Sequence, residues 1–211
     1  MENKKQTLTS FKPIKNYNPA RDSIPPLSIT WFISDTHFNH KNIIEYCDRP
    51  FSSVEEMNQE MIRRWNARIE PNDVVYHLGD FCMGEISTIE KIVPLLNGEI
   101  HLIRGNHDHK KRITAYEKCP NIVEITDMTQ IFIKSNLVFV LCHYPITNGE
   151  LLDQVTEHNK EIYMVHGHTH DKGYFFDAEH NTFNVCVDHT NFYPINLNEL
   201  ISIIRRFQGV E

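Results

Sequence analysis

The sequence predicts an α/β fold in which two β-sheets pack face to face as a sandwich flanked by helices. Three observations predict it. Apolar strand patterns alternate with amphipathic helix patterns from residue 28 to residue 103, an order that favours parallel strands joined by helical crossovers. Short strands then follow one another quickly up to residue 187, which indicates a second, more antiparallel sheet. Apolar residues at helical spacing from Leu197 to Phe207 predict a closing helix.

The elements of the first half are marked by apolar runs and by helix-start signals. Ser52 and Ser53 stand three residues before Glu55 and Glu56, a spacing typical of a capping box. An apolar stripe at helical spacing follows and stops before Pro71. The predicted strands cover about 28–34, 73–78 and 99–103, and the predicted helices cover about 40–47, 54–69, 86–96 and 109–118.

The second half is predicted to be strand-rich. Its strands are expected at about 122–125, 130–134, 137–142, 162–166, 173–177 and 182–187, with one helix near 150–157. We assign all of these strands to the second sheet, because only short connections separate them.

Length and composition fit one domain behind a short arm. The chain has 211 residues, of which 40% are hydrophobic, enough for one substantial core. Residues 1–27 contain four of the ten prolines and show no clear periodicity, so we predict a loosely packed N-terminal arm. Residues 28–211 are then predicted to form a single domain.

Charge and cysteine content narrow the possible partners and the compartment. The formal net charge of −7 leaves no broad basic surface, so neither extended duplex nucleic acid nor a membrane is expected as a partner. The five cysteines are odd in number and form no Cys-x-x-Cys pair, which favours reduced thiols in a cytoplasmic protein. A local basic cluster, Arg104 with Lys110–Arg112, could be a solvated helix start or could attract phosphate.

Five predicted strands end in the same way, with an apolar run, most often a small residue, and then Asp, Asn or His. Side chains at the carboxyl ends of parallel strands gather at one edge of a sheet, so these polar residues are expected to form one site. Any one of them alone would more often be a turn cap or an ordinary strand-end histidine. The residues are Asp35 and His37, Asp80, Asn106 to Asp108, His143, and His168 and His170.

Seven of these residues are potential metal ligands. Their mixture of carboxylate, imidazole and amide groups suits borderline divalent cations better than Ca²⁺. Seven ligands are too many for one tetrahedral zinc ion, and they match two ions that share a carboxylate. The seven are Asp35, His37, Asp80, Asn106, His143, His168 and His170.

The ordered set D-x-H, G-D, G-N-H-D, H and G-H-x-H resembles the calcineurin-like metallophosphoesterases, over residues 30 to about 190. The stretch from Phe32 to Phe38 and the short spacings look most like the small bacterial and phage members. The resemblance implies that fold, a two-sheet sandwich with outer helices. It also implies a first metal ion held by Asp35, His37 and His170, and a second held by Asn106, His143 and His168.

The resemblance further implies a mechanism. Asp80 would bridge the two metal ions, and a bridging water or hydroxide would attack the phosphorus. His107 would give a proton to the leaving oxygen as general acid, and Asp108 would orient His107 through a hydrogen bond. Manganese is the first choice of metal, with iron, zinc and nickel as alternatives. His40, Arg104 and Tyr144 are predicted to contact the substrate.

The segments on either side of His143 are taken up by predicted strands and helices, so we expect no inserted cap domain and an open, shallow site. Such a site would accept phosphodiesters, including cyclic nucleotides, as well as monoesters. The leading hypothesis is a phosphodiesterase with two metal ions. A phosphomonoesterase acting on nucleotides, a nuclease acting on short or terminal nucleic acid, and a non-catalytic binding scaffold are the alternatives. The oligomeric state stays open.

Overall fold

The computed structural model describes residues 30–134, 137–146 and 161–210. The predicted arm and the predicted helix near 150–157 lie outside these residues. Within them, two five-stranded sheets are present. Both sheets are mixed, and helices flank them, so the predicted fold class is confirmed.

The first sheet is built mostly from the first half of the chain, in which strands and helices alternate. It contains β1 (Thr30–Ile33), β2 (Val74–His77), β3 (Glu99–Ile103), β4 (Ile122–Thr126) and β10 (Ile195–Asn196), in the order β10-β1-β2-β3-β4. Strands β1 to β4 are parallel, and β10 is antiparallel to β1 at the edge. The assignment of β4 to the second sheet is wrong. Only Asp127 separates β4 from the next strand, and the chain changes sheets at that residue.

The second sheet has parallel strands at its centre. It contains β5 (Met128–Lys134), β6 (Leu137–Cys142), β7 (Glu161–His166), β8 (Phe176–Asp177) and β9 (Thr182–Asn184), in the order β5-β6-β7-β9-β8. Strands β6, β7 and β9 are parallel, whereas β5 and β8 pair antiparallel at the two edges. The predicted antiparallel character therefore applies only to the edges.

The helices are shorter than the sequence predicts, except for the last. They are α1 (Ile43–Tyr46), α2 (Val54–Asn66), α3 (Ser87–Ile92), α4 (Lys110–Tyr116) and α5 (Leu197–Gln208). A 3₁₀ turn at Val93–Leu95 follows α3, since Pro94 lacks the amide hydrogen that an α-helix would use there. No helix in the described ranges combines the length and apolar character that crossing a bilayer requires.

Two buried apolar clusters pack against the strands that end in the predicted site residues. Between the sheets, Phe32 and Leu78 pack in one buried cluster with Phe139 and Phe183. On the outer face of the first sheet, Trp65 of α2 belongs to a second buried cluster. Its ring stacks on the ring of Phe81, the residue directly after Asp80, with centroids 6.1 Å apart. Helix α2 therefore supports the segment that follows β2.

Candidate active site

The seven predicted ligands lie at the carboxyl ends of five strands, three from the first sheet and two from the second. The two sheets meet at this edge through Ser34, whose amide donates to Val185 O and whose carbonyl accepts from Val187 N, both at 3.1 Å. The structure brings all seven predicted ligands into one cluster. They follow β1 (Asp35, His37), β2 (Asp80), β3 (Asn106), β6 (His143) and β7 (His168, His170).

Five of the seven ligands have a left-handed backbone conformation. Their φ angles are 54° for Asp35, 47° for His37, 56° for Asp80, 70° for His168 and 52° for His170. Residues other than glycine rarely adopt this backbone conformation. Its energetic cost is tolerated only where the surrounding structure imposes the conformation. The chain therefore turns sharply after β1, β2 and β7, at the residues that reach the cluster.

Two glycines allow the strand ends to approach one another. A Cβ atom on Gly105 would lie 2.2 Å from Asp80 Oδ1, and one on Gly167 would lie 2.0 Å from Ser34 Oγ and 2.2 Å from Asp35 Oδ2. These distances are far shorter than van der Waals contact. The small residue that precedes the ligands in the sequence is thus a packing requirement of the site.

Asp35, His37 and His170 form what we call the inner group. Asp35 Oδ2 accepts hydrogen bonds from Ser34 Oγ (2.6 Å) and from the His168 amide (2.9 Å). Its other oxygen, Oδ1, is buried without a partner, 4.0 Å from His37 Nε2 and 3.8 Å from His170 Nε2. His37 Nε2 is also buried without a partner. Burial holds the pKa of His37 far below its usual range, so the ring is neutral.

Asn106, His143 and His168 form the outer group. Asn106 Oδ1 lies 3.0 Å from His143 Nε2 and 3.0 Å from His168 Nδ1. His143 is buried, and its Nδ1 lies 2.7 Å from Leu78 O. Asn106 and His168, in contrast, are exposed. Leu78 O can only accept a hydrogen bond, so His143 donates to it through Nδ1, and with that tautomer only His168 can donate to Asn106 Oδ1. The outer group therefore opens to solvent and contains one internal hydrogen bond.

Asp80 lies between the two groups. Its Oδ2 is 3.6 Å from His37 Nε2 and 3.6 Å from His143 Nε2. Its Oδ1 accepts a hydrogen bond of 2.8 Å from the His107 amide. Burial raises the pKa of Asp80 to about 7, against the opposing effect of His143. A cation on either side would favour the ionised carboxylate.

The donors fit divalent cations. In the inner group, and in the set of Asp35, Asp80 and His143, the ligand atoms all lie within 4.8 Å of one another. Such spacing suits ligands about 2.0–2.2 Å from a common ion. The unpartnered buried atoms of Asp35 and His37 are the direct indication, because native structures rarely leave such atoms unsatisfied.

A third group of possible ligands, Cys47 with His170 and Asp188, does not fit a cation as well. Burial raises the pKa of the Cys47 thiol to about 11, so it stays protonated. The Asp188 carboxylate already pairs with the buried guanidinium of Arg49, with Nε and Oδ1 at 2.8 Å.

Sequence reasoning missed two residues that support the inner group. Asp188 Oδ2 lies 2.9 Å from His170 Nδ1, and Arg49 also donates to the backbone oxygen of Asp35 at 2.9 Å. A carboxylate on Nδ1 orients an imidazole whose Nε2 serves as the ligand. Asp188 directly follows an apolar strand pattern, the same signal that marked the ligands, whereas no motif marks Arg49.

His107 and Asp108 lie at the cluster, but not in the expected relation. The His107 ring lies 5.4 Å from the His37 ring, with its Nε2 3.9 Å from Asp80 Oδ2. Within the residues that the structure describes, no hydrogen bond joins Asp108 to His107, so the predicted orienting bond has no support from this geometry. The Asp108 carboxylate instead accepts from the amides of Asp80 (2.7 Å) and Gly105 (3.0 Å) and from the Tyr116 hydroxyl (3.1 Å). It fastens the two ligand-bearing loops together.

Two of the three predicted substrate contacts lie at the cluster. His40 Nδ1 is 3.3 Å from His37 Nδ1, and the Tyr144 ring is 4.8 Å from the His168 ring. Arg104 instead pairs with Asp127 through two hydrogen bonds. Its charge is therefore already neutralised within the chain, which leaves the predicted substrate contact without support from the geometry.

Comparison with known proteins agrees with the motif order. The family model of the calcineurin-like phosphoesterase superfamily domain matches residues 30–185. The uncharacterized protein MJ1445 of Methanocaldococcus jannaschii is 35% identical over 185 residues, which are 83% of this chain and 91% of that protein. The gene 66 protein of Mycobacterium phage L5 is 36% identical over 87 residues, 39% of this chain and 41% of that one.

A solved structure shares the architecture. The crystal structure of AQ665 from Aquifex aeolicus, a protein of unknown function, superposes with a TM-score of 0.64 at 25% identity. The match covers 82% of this chain and 98% of that one. The family match spans most of the described strands and all seven predicted ligands. The chain therefore belongs to the calcineurin-like phosphoesterase superfamily, a metal-dependent family, and is a phosphoester hydrolase.

Proposed function

We propose that this chain hydrolyses phosphodiesters with two divalent cations, manganese being the first choice and iron, zinc or nickel the alternatives. The observation that carries the proposal is the place of Asp80. Its Oδ2 lies at the same distance, 3.6 Å, from a nitrogen of the inner group and from a nitrogen of the outer group. One carboxylate is thus available to two sets of ligands.

Each group would hold one cation. The inner group offers Asp35, His37 and His170, the outer group offers Asn106, His143 and His168, and Asp80 would be shared. When bound, such cations lower the pKa of water and neutralise phosphate charge. The chain contributes the neutral imidazoles that cations require, because burial lowers the pKa values of His37 and His168.

His107 is the proposed general acid. Its side chain is 44% exposed, so its ring is at the open side of the cluster. The amide of the same residue is fixed on Asp80 Oδ1, which ties the position of the ring to the proposed shared carboxylate. A proton held on His107 Nε2 would pass to the leaving oxygen as the bond to phosphorus breaks.

The open side of the cluster supports diesters as substrates. Asn106, His107 and His168 all have solvent-accessible side chains, so the phosphate can carry a bulky group on both ester oxygens. Of the predicted substrates, cyclic nucleotides are diesters and satisfy this requirement, whereas simple nucleotides are monoesters. The cytoplasmic location and the exclusion of extended duplexes stay predictions.

The test compares hydrolysis of bis(p-nitrophenyl) phosphate and p-nitrophenyl phosphate by the Mn²⁺-reconstituted protein, with metal content measured on the same sample. We expect two ions per chain and faster hydrolysis of the diester. The substitution His107→Ala should lower turnover about 10²–10⁴-fold while leaving the metal content unchanged. The matched control is His109→Ala, an exposed histidine two residues away, which should keep full activity.

Three outcomes would contradict the proposal. Faster hydrolysis of the monoester would assign the chain to the phosphomonoesterases. Unchanged turnover in the His107→Ala protein would remove the general-acid role. A single ion per chain at saturation would exclude the shared role of Asp80.

A further inference from the structure

We propose that Tyr46 and Tyr144 are stacking residues for the two ester groups of the substrate. The preferred substrates would then be short oligonucleotides or dinucleotides, with a base on each side of the scissile phosphate. The inference rests on the proposed phosphodiesterase function and names its substrate class.

Tyr46 lies on the side of the inner group. It is 70% exposed, so most of its ring is free to contact a substrate group. Its ring meets His40 edge to face, with centroids 6.2 Å apart and an interplanar angle of 81°. The His40 ring in turn lies 5.2 Å from the ring of His37. Tyr46 is therefore two ring contacts away from the proposed cation site, with most of its surface free.

Tyr144 lies on the side of the outer group. It directly follows His143, and its ring lies 4.9 Å from the ring of His143 and 4.8 Å from that of His168. It is partly exposed. Tyr144 is thus in direct ring contact with both histidines of the outer group, whereas Tyr46 reaches the inner group through His40.

Two aromatic side chains on opposite groups match the shape of a phosphodiester, which carries one substituent on each of two ester oxygens. Stacking of a base on an aromatic ring contributes affinity irrespective of sequence. The alternative source of affinity would be a basic surface that contacts the phosphate backbone, and the chain offers little of it. Its net charge is −7, and Arg104 at the carboxyl end of β3 is paired with Asp127. Affinity from stacking without a basic track favours short substrates over long ones.

The first test uses two esters with the same leaving group, thymidine 5′-(p-nitrophenyl phosphate) and methyl p-nitrophenyl phosphate. The wild type should have about a tenfold lower KM for the nucleoside ester. The double variant Tyr46→Ala/Tyr144→Ala should lose this advantage, and the matched Tyr46→Phe/Tyr144→Phe protein, which keeps both rings, should retain it. Phe207→Ala is a control for removal of an exposed aromatic ring, because Phe207 is 60% exposed and packs on Phe176 of β8.

The second test measures binding without turnover. A dithymidine analogue, in which a methylene group replaces the scissile ester oxygen, is titrated calorimetrically into the metal-loaded proteins. We expect its Kd to rise about tenfold or more in the double alanine variant and to stay within about twofold in the double phenylalanine variant. If the double alanine variant keeps both the KM advantage and the Kd of the wild type, the inference is overturned.

The two proposals fail in different ways. If the wild type hydrolyses neither ester, the phosphodiesterase function fails, and the calorimetric titration still decides whether the tyrosines bind bases. If the wild type hydrolyses both esters with equal KM values, the function stands and the stacking role is lost.

Discussion

The inner and outer groups use the same kinds of side chain and differ in how the protein holds them. In the inner group, Asp35 and His37 are buried, and His170 is oriented by Asp188. In the outer group, Asn106 and His168 are exposed, and Asn106 Oδ1 lies within hydrogen-bonding distance of both histidine partners. The inner group thus has unpartnered atoms ready for a cation, whereas the outer group has to exchange existing contacts.

This difference indicates that the two proposed cations bind with unequal affinity. A cation in the inner group satisfies buried atoms that otherwise have no partner. The free energy of cation binding is therefore not reduced by the loss of other contacts. A cation in the outer group replaces the hydrogen bond between His168 and Asn106 Oδ1 and displaces solvent, so part of the free energy of binding is lost. The outer cation would then be the weaker and more exchangeable one, on the side from which substrate enters.

The largest effect is expected from the residue that belongs to both groups. The substitution Asp80→Asn removes the shared negative charge with little change in volume. We expect the diesterase rate to fall by about 10³-fold or more, because both cations lose a charged ligand. Calorimetric titration with Mn²⁺ should show both binding steps weakened. Loss of only one step would show that Asp80 serves a single cation.

The same variant makes a prediction about stability without metal. Burial raises the pKa of Asp80 to about 7 in the folded chain, above the value of about 3.8 for the ordinary carboxyl group. The neutral form is therefore favoured on folding, and this contribution to stability is fully present below about pH 3.8 and is lost as the pH rises from there through 7. Asp80→Asn should be about as stable as wild type at pH 3, below the unfolded pKa, and more stable at pH 8, by up to a few kcal/mol. Equal stability at both pH values would contradict the buried, unpaired carboxylate.

The next effect separates the two groups. The substitution His37→Ala should weaken the tighter of the two Mn²⁺ steps at least about 100-fold, because it removes a ligand from the buried group. His168→Ala should leave that step within about twofold and weaken only the second, looser step. The thermal shift on adding one equivalent of Mn²⁺ provides an independent measure. If His168→Ala abolished the tighter step, the assignment of the two affinities would be reversed.

Much of this arrangement could be predicted from the sequence. The ligands could be located because each follows an apolar strand, and parallel strands collect their carboxyl ends at one edge. The sheet assignment of β4 could not be predicted, because the pattern of a strand does not name its neighbour and a single residue, Asp127, joins the two sheets.

Hydrogen-bond partners were less predictable than ligands. The partners of Asp108 include the amide of Asp80, 28 positions away, and nothing in the motif itself specifies that loop contact. Arg49 lies 139 positions from its partner Asp188 and carries no motif. Asp188 is predictable in principle, because it follows an apolar strand pattern as the predicted ligands do.

The smallest effect is expected at Asp188, the supporting residue that sequence reasoning missed. Its substitution tests whether the inner and outer groups differ as described. The substitution Asp188→Asn keeps the size of the side chain and a possible acceptor for His170 Nδ1, but it removes the charge that pairs with Arg49. We expect the tighter Mn²⁺ affinity to fall about 10–100-fold, as typically follows loss of a residue that orients a ligand, while the looser affinity stays unchanged. Asp177→Asn is the matched control, because Asp177 pairs with the exposed His180 outside the cluster and should change neither affinity. An equal loss of affinity in both binding steps would mean that the inner and outer groups do not bind cations independently. Asp188 contacts only the inner group, so its effect on the outer group would have to pass through the shared carboxylate of Asp80.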